Sequence, residues 1–229
     1  MVSRYKAYYP KYKMNEHIDN IASIASIASR SSQPFASPQR ILVFDIESSG
    51  LPPRSKPYSD TAAWSRCRIV QLAWQIFEPS GELLSEGCHI VRPIGFTVPE
   101  SATRIHGITH RQAMADGRPL ADVIADFHAD IERHSVSRLV AHNIDFDRPV
   151  MMSEMVRLNV ASHVIDRFER LDQFCTMKAG TKPGERWPKL AALYQELVGK
   201  EMIGGHRADV DTSACAAIYF ALINNIPKC

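Results

Sequence analysis

The sequence predicts an α/β domain whose mixed, five-stranded sheet is flanked by helices. Two features of the order of segments predict it: three β-rich stretches follow one another between Arg40 and Val91, and from Thr109 onward helix-like and strand-like stretches alternate. Strands in close succession pair as an antiparallel meander, whereas strands separated by helices are joined by crossovers and run parallel. A third observation bounds the size. The chain has 229 residues, 45% of them hydrophobic and 23% charged, enough for one domain with a substantial core plus an extension.

Residues 1–38 read as that extension, an arm that is flexible or loosely docked, with the domain itself at 39–229. It opens on MVSRYKAYYPKYK, continues through a threefold Ile-Ala-Ser run and ends in RSSQPFASP. Interleaved Tyr and Lys or Arg could stack on bases and contact phosphates, against the plainer reading of a solvated tail. Ile21, Ile24 and Ile27 after Asp19 suit a short capped helix as well as they suit disorder. Glu16 and Asp19 argue against an acid-poor transit peptide.

The first strand is ILVFDIE. RIVQLAWQIF, the turn PSG and ELLSEGCHIV then form a hairpin. Thr109 and Gln112 make a capping-box pair that opens a short helix. PLADVIADFHADIERH is amphipathic, with Leu120, Val123, Ile124 and Phe127 along one face. RLVAHN is the fourth strand, PVMMSEMVRLN the next helix, and Gln173 to Met177 a short fifth strand. Leu190, Leu193, Tyr194, Leu197 and Val198 fall on one helical stripe, and a last helix runs from about Val210 to Ile223.

Bulk charge says little about function. A net charge of +2 and a pI near 8.3 lack the pronounced basic excess of many nucleic-acid binders, so any such activity must come from a local site. The five cysteines are odd in number, widely spaced and contain no Cys-x-x-Cys, which signals neither a disulfide framework nor a thiolate zinc site. No apolar run approaches the roughly 20 residues of a membrane span, and none resembles a signal peptide. A cytoplasmic location without membrane contact is the expectation.

Asp45 and Glu47 stand two residues apart in the first strand, so its period-2 geometry sends both carboxylates to one face. Buried and unpaired, they would cost several kcal/mol or stay protonated. A hard cation such as Mg²⁺ resolves that conflict. The pair alone leans toward a simpler account, two strand-end acids matched by Arg or Lys. Two further acidic stretches, AHNIDFD after a predicted strand and HRADVD before a predicted helix, occupy places that present side chains to a common cleft.

FDIESSGL, HNIDFD and HRADVD, in that order and at those separations, resemble the three exonuclease motifs of the DEDDh family, proofreading-type 3′-to-5′ exonucleases on a ribonuclease H-like fold. RIHGIT, TMK and WPKLAALY also resemble that family, and the likeness runs from about Arg40 to Tyr219. It implies catalytic residues Asp45, Glu47, Asp147, His206 and Asp211. Asp147 follows the phenylalanine of the second motif, which leaves Asp145 outside the site, and Asp209 becomes an N-cap. By the same resemblance Asp45, Glu47, Asp147 and Asp211 hold two Mg²⁺ ions, with Mn²⁺ able to substitute. The resemblance makes His206 the expected general base, an imidazole suited to accept a proton near neutral pH. Two ions about 4 Å apart can activate the attacking water and stabilise the leaving 3′-oxygen.

The resemblance further implies substrate contacts from Ser49, Leu51, Ile105, His106, Asn143 and Phe146. Ser49 stands where the family often has threonine, and Leu51 where an apolar side chain wedges beside the terminal base. The expected substrates are DNA 3′ ends, single-stranded or frayed, releasing 5′-mononucleotides. An exoribonuclease of the same family and a non-catalytic binding module are the alternatives. The arm is the visible candidate for a tether to a polymerase or repair partner. Two loops stand out as tuning elements: PPRSKPYSDTAAWSRC, and KAGTKPGERWPK, which gathers Lys178, Lys182, Arg186 and Lys189 around Trp187.

Overall fold

A computed structural model describes residues 39–224. The arm, with the Ile-Ala-Ser run read as helix or disorder, and the last five residues lie outside them.

Five strands form one sheet in the order β3-β2-β1-β4-β5. β1 (Arg40–Ser48), β2 (Ile69–Phe77) and β3 (Leu83–Ile90) make the antiparallel meander, with Gly81 in the left-handed region (φ 92°) at the hairpin turn. β4 (Val136–Ala141) lies parallel to β1, and β5 (Asp172–Cys175) parallel to β4. Between the meander and β4 come α1 (Glu100–His106), α2 (His110–Asp116) and α3 (Leu120–Arg133). α4 (Ile144–Arg157) and α5 (Ser162–Arg170) join β4 to β5, and α6 (Thr176–Ala179), α7 (Leu190–Val198) and α8 (Ala208–Asn224) complete the described chain.

The alternation of β1 sorts the core into two layers. Leu42, Phe44 and Ile46 pack with Phe127 of α3, Met151 and Met155 of α4 and Phe168 of α5. Ile41 and Val43 point the other way and pack with Cys215, Ala216 and Tyr219 of α8. A third, smaller cluster of Val70, Val98, Ala102, Ile108 and Ala113 seats α1 and α2 beside the start of β2. Because β2 is antiparallel to β1, that places α1 at the carboxyl end of β1.

Several boundaries differ from expectation. α1 was not foreseen, although Pro99 before it and Gly107 after it, left-handed at φ 78°, are its start and stop signals. α5 also went unread. α4 begins at Ile144, five residues before Pro149, so the proline lies inside the helix, past its first turn, and gives up the bond to the Asp145 carbonyl. The fifth strand ends at Cys175 and Thr176 and Met177 turn into α6. The N-cap half of the capping box is present: the Gln112 amide donates to Thr109 Oγ1 at 3.1 Å.

Gly87 faces Trp74 across the β2–β3 ladder, and a Cβ there would lie 2.2 Å from the indole. The ring is fixed, since Trp74 Nε1 donates to buried Asp130 at 3.0 Å and Ser85 Oγ donates to the same oxygen at 2.9 Å. Gly87→Ala is expected to cost about 1–3 kcal/mol through overpacking, lowering the melting temperature by roughly 3–10 °C. A thermal melt checks this; an unchanged midpoint would mean the indole moves aside freely.

Candidate active site

β1 pairs with β4 only as far as Val43↔Val140, while its pairing with β2 continues to Ser48↔Ile69. Past Val43 the two parallel strands part at their carboxyl ends, the position where open α/β sheets form ligand crevices. The row that begins with apolar Ile41 and Val43 continues there as Asp45 and Glu47, on the α8 face. Glu47 is buried and Asp45 partly so.

A long-range hydrogen bond brings the third motif to this pair. Gln71 stands opposite Glu47 in the ladder, and its Oε1 accepts from the Ala208 amide at 3.1 Å, satisfying one of the open N–H groups at the start of α8. Thr212 Oγ1 adds a long contact to the Ala73 carbonyl at 3.5 Å. Asp211 sits in the first turn of α8, and both its carboxylate oxygens accept from the His206 amide at 3.2 Å. His206 reaches that position with a left-handed backbone, φ 65°, a conformation in which histidine is tolerated better than bulkier residues. Glu47, His206 and Asp211 offer side-chain atoms that all lie within 4.8 Å of one another. Asp209 is not an N-cap. It lies inside the first turn and pairs with exposed Arg207 at 2.9 Å, because the helix starts earlier, at Ala208.

The second motif arrives from the opposite layer. Asp147 is buried on α4, and its Oδ1 accepts from the Ile46 amide at 3.1 Å, on the edge of β1 that β4 no longer covers. Asp145 lies on another side of the helix, paired with Lys178 at 2.5 Å. The choice between these acids thus has a geometric basis: one caps the open strand edge, the other is a surface ion pair.

Burial and mutual repulsion shape the charge of this cluster. Asp45 is raised well above the usual carboxylate range, first by burial and then by Asp147, Glu47 and Asp211. Glu47 is pushed up to about 7 by burial and by Asp211. Burial also raises Asp147, against the opposing Ile46 amide, and raises Asp211, against the His206 amide and ring. Every ion pair of the described residues lies elsewhere, so the salt-bridge account of the strand pair is not what the structure adopts.

Beside Glu47 a cleft of about 310 Å³ is lined by Ser49, Leu51, Ile105, His106 and Phe146, together with Ser48, Gly50 and Ser101. Leu51 and Ile105 form an exposed apolar rim, 82% and 60% accessible. Gly50 is required by close approach, since a Cβ would meet the Arg66 carbonyl oxygen at 2.7 Å. The His106 ring is buried and held neutral by that burial; its Nδ1 accepts from the Ile108 amide at 3.1 Å, which leaves the proton on Nε2. Two expectations change here. Ser49 lines the cleft, but its hydroxyl donates to the Arg66 carbonyl and accepts from the Arg68 amide, both at 3.0 Å, so it fastens the turn. Asn143 does not line the cleft; it forms the left-handed entry to α4, at φ 78°.

Sequence reasoning missed the residues that hold this arrangement. Gln71 is one, and a polar residue inside apolar IVQLAWQIF was its only signal. Arg68 and Glu154 are others: Arg68 Nε donates to buried Glu154 at 2.6 Å, and its guanidinium lies 4.6 Å from the Phe96 ring. A larger groove of about 730 Å³, between β2–β3 and the α7–α8 connection, contains none of the four clustered acids.

Comparison with solved structures shows the ribonuclease H-like fold of Escherichia coli exonuclease I. The zinc-bound form of its complex with single-stranded DNA superposes with a TM-score of 0.63 at 19% identity, covering 83% of this chain and 42% of that one. Its complex with a dA16 oligonucleotide gives 0.65, 19%, 83% and 42%, and that with dT13 gives 0.63, 19%, 82% and 41%. The chain therefore spans less than half the length of the exonuclease I chains it matches. Curated protein sequences give no match. An exonuclease family model, RNase_T, matches residues 42–219, from β1 into α8, a span that takes in Asp45, Glu47, Asp147, His206 and Asp211. The chain belongs to this exonuclease family, and within it to the DEDDh-type 3′-to-5′ exonucleases.

Proposed function

We propose that the chain removes 5′-mononucleotides from the 3′ end of single-stranded DNA, using two divalent cations and a histidine base. The observation that carries this reading is the convergence of Glu47, His206 and Asp211 within 4.8 Å, beside buried Asp147, half-buried Asp45 and a cleft. The donor set fits a hard divalent cation. Carboxylate oxygens dominate it, no lysine or arginine of the described residues forms an ion pair with it, and the acids are driven toward protonation without one.

Asp45, Glu47 and Asp211 would hold one ion, with Asp45 and Asp147 at the other. Bound there, Mg²⁺ or Mn²⁺ supplies Lewis acidity that eases deprotonation of the attacking water and offsets charge on the phosphoryl oxygens. The remaining work falls to the chain. The cleft receives the terminal nucleotide, with Leu51 and Ile105 packing beside the base, a contact that any base can make. His206 is exposed at the mouth of the site, where its ring can take a proton from water and return it to solvent. The α8 amide end, capped by Gln71, keeps Asp211 in place while this happens. DNA as the substrate is supported by the exonuclease I structures, which are complexes with single-stranded DNA and with dA16 and dT13.

Matched single-stranded DNA, duplex DNA and RNA oligonucleotides, incubated with Mg²⁺, Mn²⁺ or chelator, test the reading through product size. Mononucleotide release from single-stranded DNA, stopped by chelator, is expected; faster release from RNA would reassign the substrate. Asp147→Asn and His206→Ala are each expected to lower kcat at least about 100-fold with unchanged circular dichroism. Near-wild-type Mg²⁺-dependent turnover by either would remove that residue from the mechanism.

The strained acids also predict a stability signature. Glu47 rises from 4.5 to about 7 on folding, so its contribution is fully present below pH 4.5 and is lost as pH climbs through 7. That difference is on the order of 3 kcal/mol. In chelator, wild type should lose stability relative to Glu47→Gln between pH 5 and 7.5, and Mn²⁺ should restore it at the upper end. Parallel pH profiles of the two proteins in denaturant melts would contradict this.

A further inference from the structure

We infer that the exposed indole of Trp187, between Arg186 and Lys189, is a stacking platform for a base of the substrate strand upstream of the nucleotide in the cleft. The inference rests on the exonuclease reading for the direction from which the strand arrives. The chain has three tryptophans. Trp64 and Trp74 are 3% and 2% accessible and both donate their indole N–H to protein acceptors, whereas Trp187 is 63% accessible.

The loop that carries Trp187 connects α6 to α7 and is tied at both ends to the segment that delivers Asp147. At its start, Lys178 pairs with Asp145 at 2.5 Å. At its end, the Pro188 carbonyl, next to Trp187, accepts from His142 Nε2 at 3.1 Å, while His142 Nδ1 lies 3.0 Å from Thr176 Oγ1. His142 directly follows the last residue of β4. β4 runs parallel to β1, so the loop stands at the end of the sheet where Asp45 and Glu47 lie.

The four cations of the loop divide into two kinds. Lys178 and Lys182 are engaged, with Asp145 and with Glu196 at 2.6 Å. Arg186 and Lys189, on either side of the indole, have no ion-pair partner among the described residues and are exposed. An accessible aromatic face flanked by uncommitted cations suits a single strand, because every base offers a π-face and every linkage a phosphate. The cleft holds one nucleotide by its apolar rim; Trp187 would hold a second point on the same strand and so favour oligomers over mononucleotide product.

Oligo(dT) binding in chelator, where no turnover intervenes, tests the platform in the full chain. Because the other two indoles are buried, quenching of tryptophan emission by oligo(dT) is expected from wild type and lost in Trp187→Phe. Anisotropy of a labelled oligo(dT) should give a Kd about 5- to 150-fold weaker for Trp187→Ala and within about twofold of wild type for Trp187→Phe. Replacing Arg186 and Lys189 together by Ala should flatten the salt dependence by roughly 1.4 in log–log slope. Unquenched wild-type emission at saturating oligo(dT), or equal Kd for wild type and folded Trp187→Ala, would overturn the platform. Mg²⁺-dependent release measured on the same preparations separates the two readings: release without quenching removes the platform alone, and quenching without release removes the exonuclease alone.

Discussion

Like charges crowded at the carboxyl end of β1 are the constraint around which the molecule is arranged. Asp45, Glu47, Asp147 and Asp211 come from three elements on two faces of the sheet; burial raises all four, and clustered acids add to the rise at Asp45, Glu47 and Asp147. Such a cluster opposes folding, so it persists only where the surrounding structure fixes it. The two apolar layers around β1 supply that rigidity. Polar tethers then set the register: Ile46 N–H to Asp147, Gln71 to the first turn of α8, and the His206 amide to Asp211.

A cation held by these acids would relieve the repulsion that the bare protein must carry, so occupancy would stabilise the fold as it readies the site. The neighbouring cleft is built differently. Its turn is held by backbone contacts, with Ser49 stapling Arg66 and Arg68 and Gly50 permitting the approach, while Arg68 is anchored on buried Glu154. Rigid backbone and an apolar rim suit a ligand recognised by its shape and its π-face.

Much of this was legible because local patterns and global fold agree. The period-2 rows of β1, the N-cap at Thr109 and the stripe of α7 each have a purely local cause. The ordering of three acidic motifs identified which carboxylates to watch, and in the structure Asp147 is buried against β1 while Asp145 is in a surface ion pair. What stayed hidden depends on contacts distant in sequence. Gln71 caps a helix 137 residues away, and Glu154 binds Arg68 across 86 residues. Nothing local to either residue names its partner. Asp209 was misplaced because the cap of α8 comes from that distant glutamine rather than from its own sequence. Ser49 looked free because its partners lie beyond a long loop.

Anomalous scattering from Mn²⁺ in crystals of the wild-type protein tests the central claim most directly. The account predicts Mn²⁺ peaks between the Asp45, Glu47 and Asp211 carboxylates and beside Asp147, both lost in Asp45→Asn. Density confined to other sites, or none at these acids in well-ordered crystals soaked at neutral pH, would contradict it.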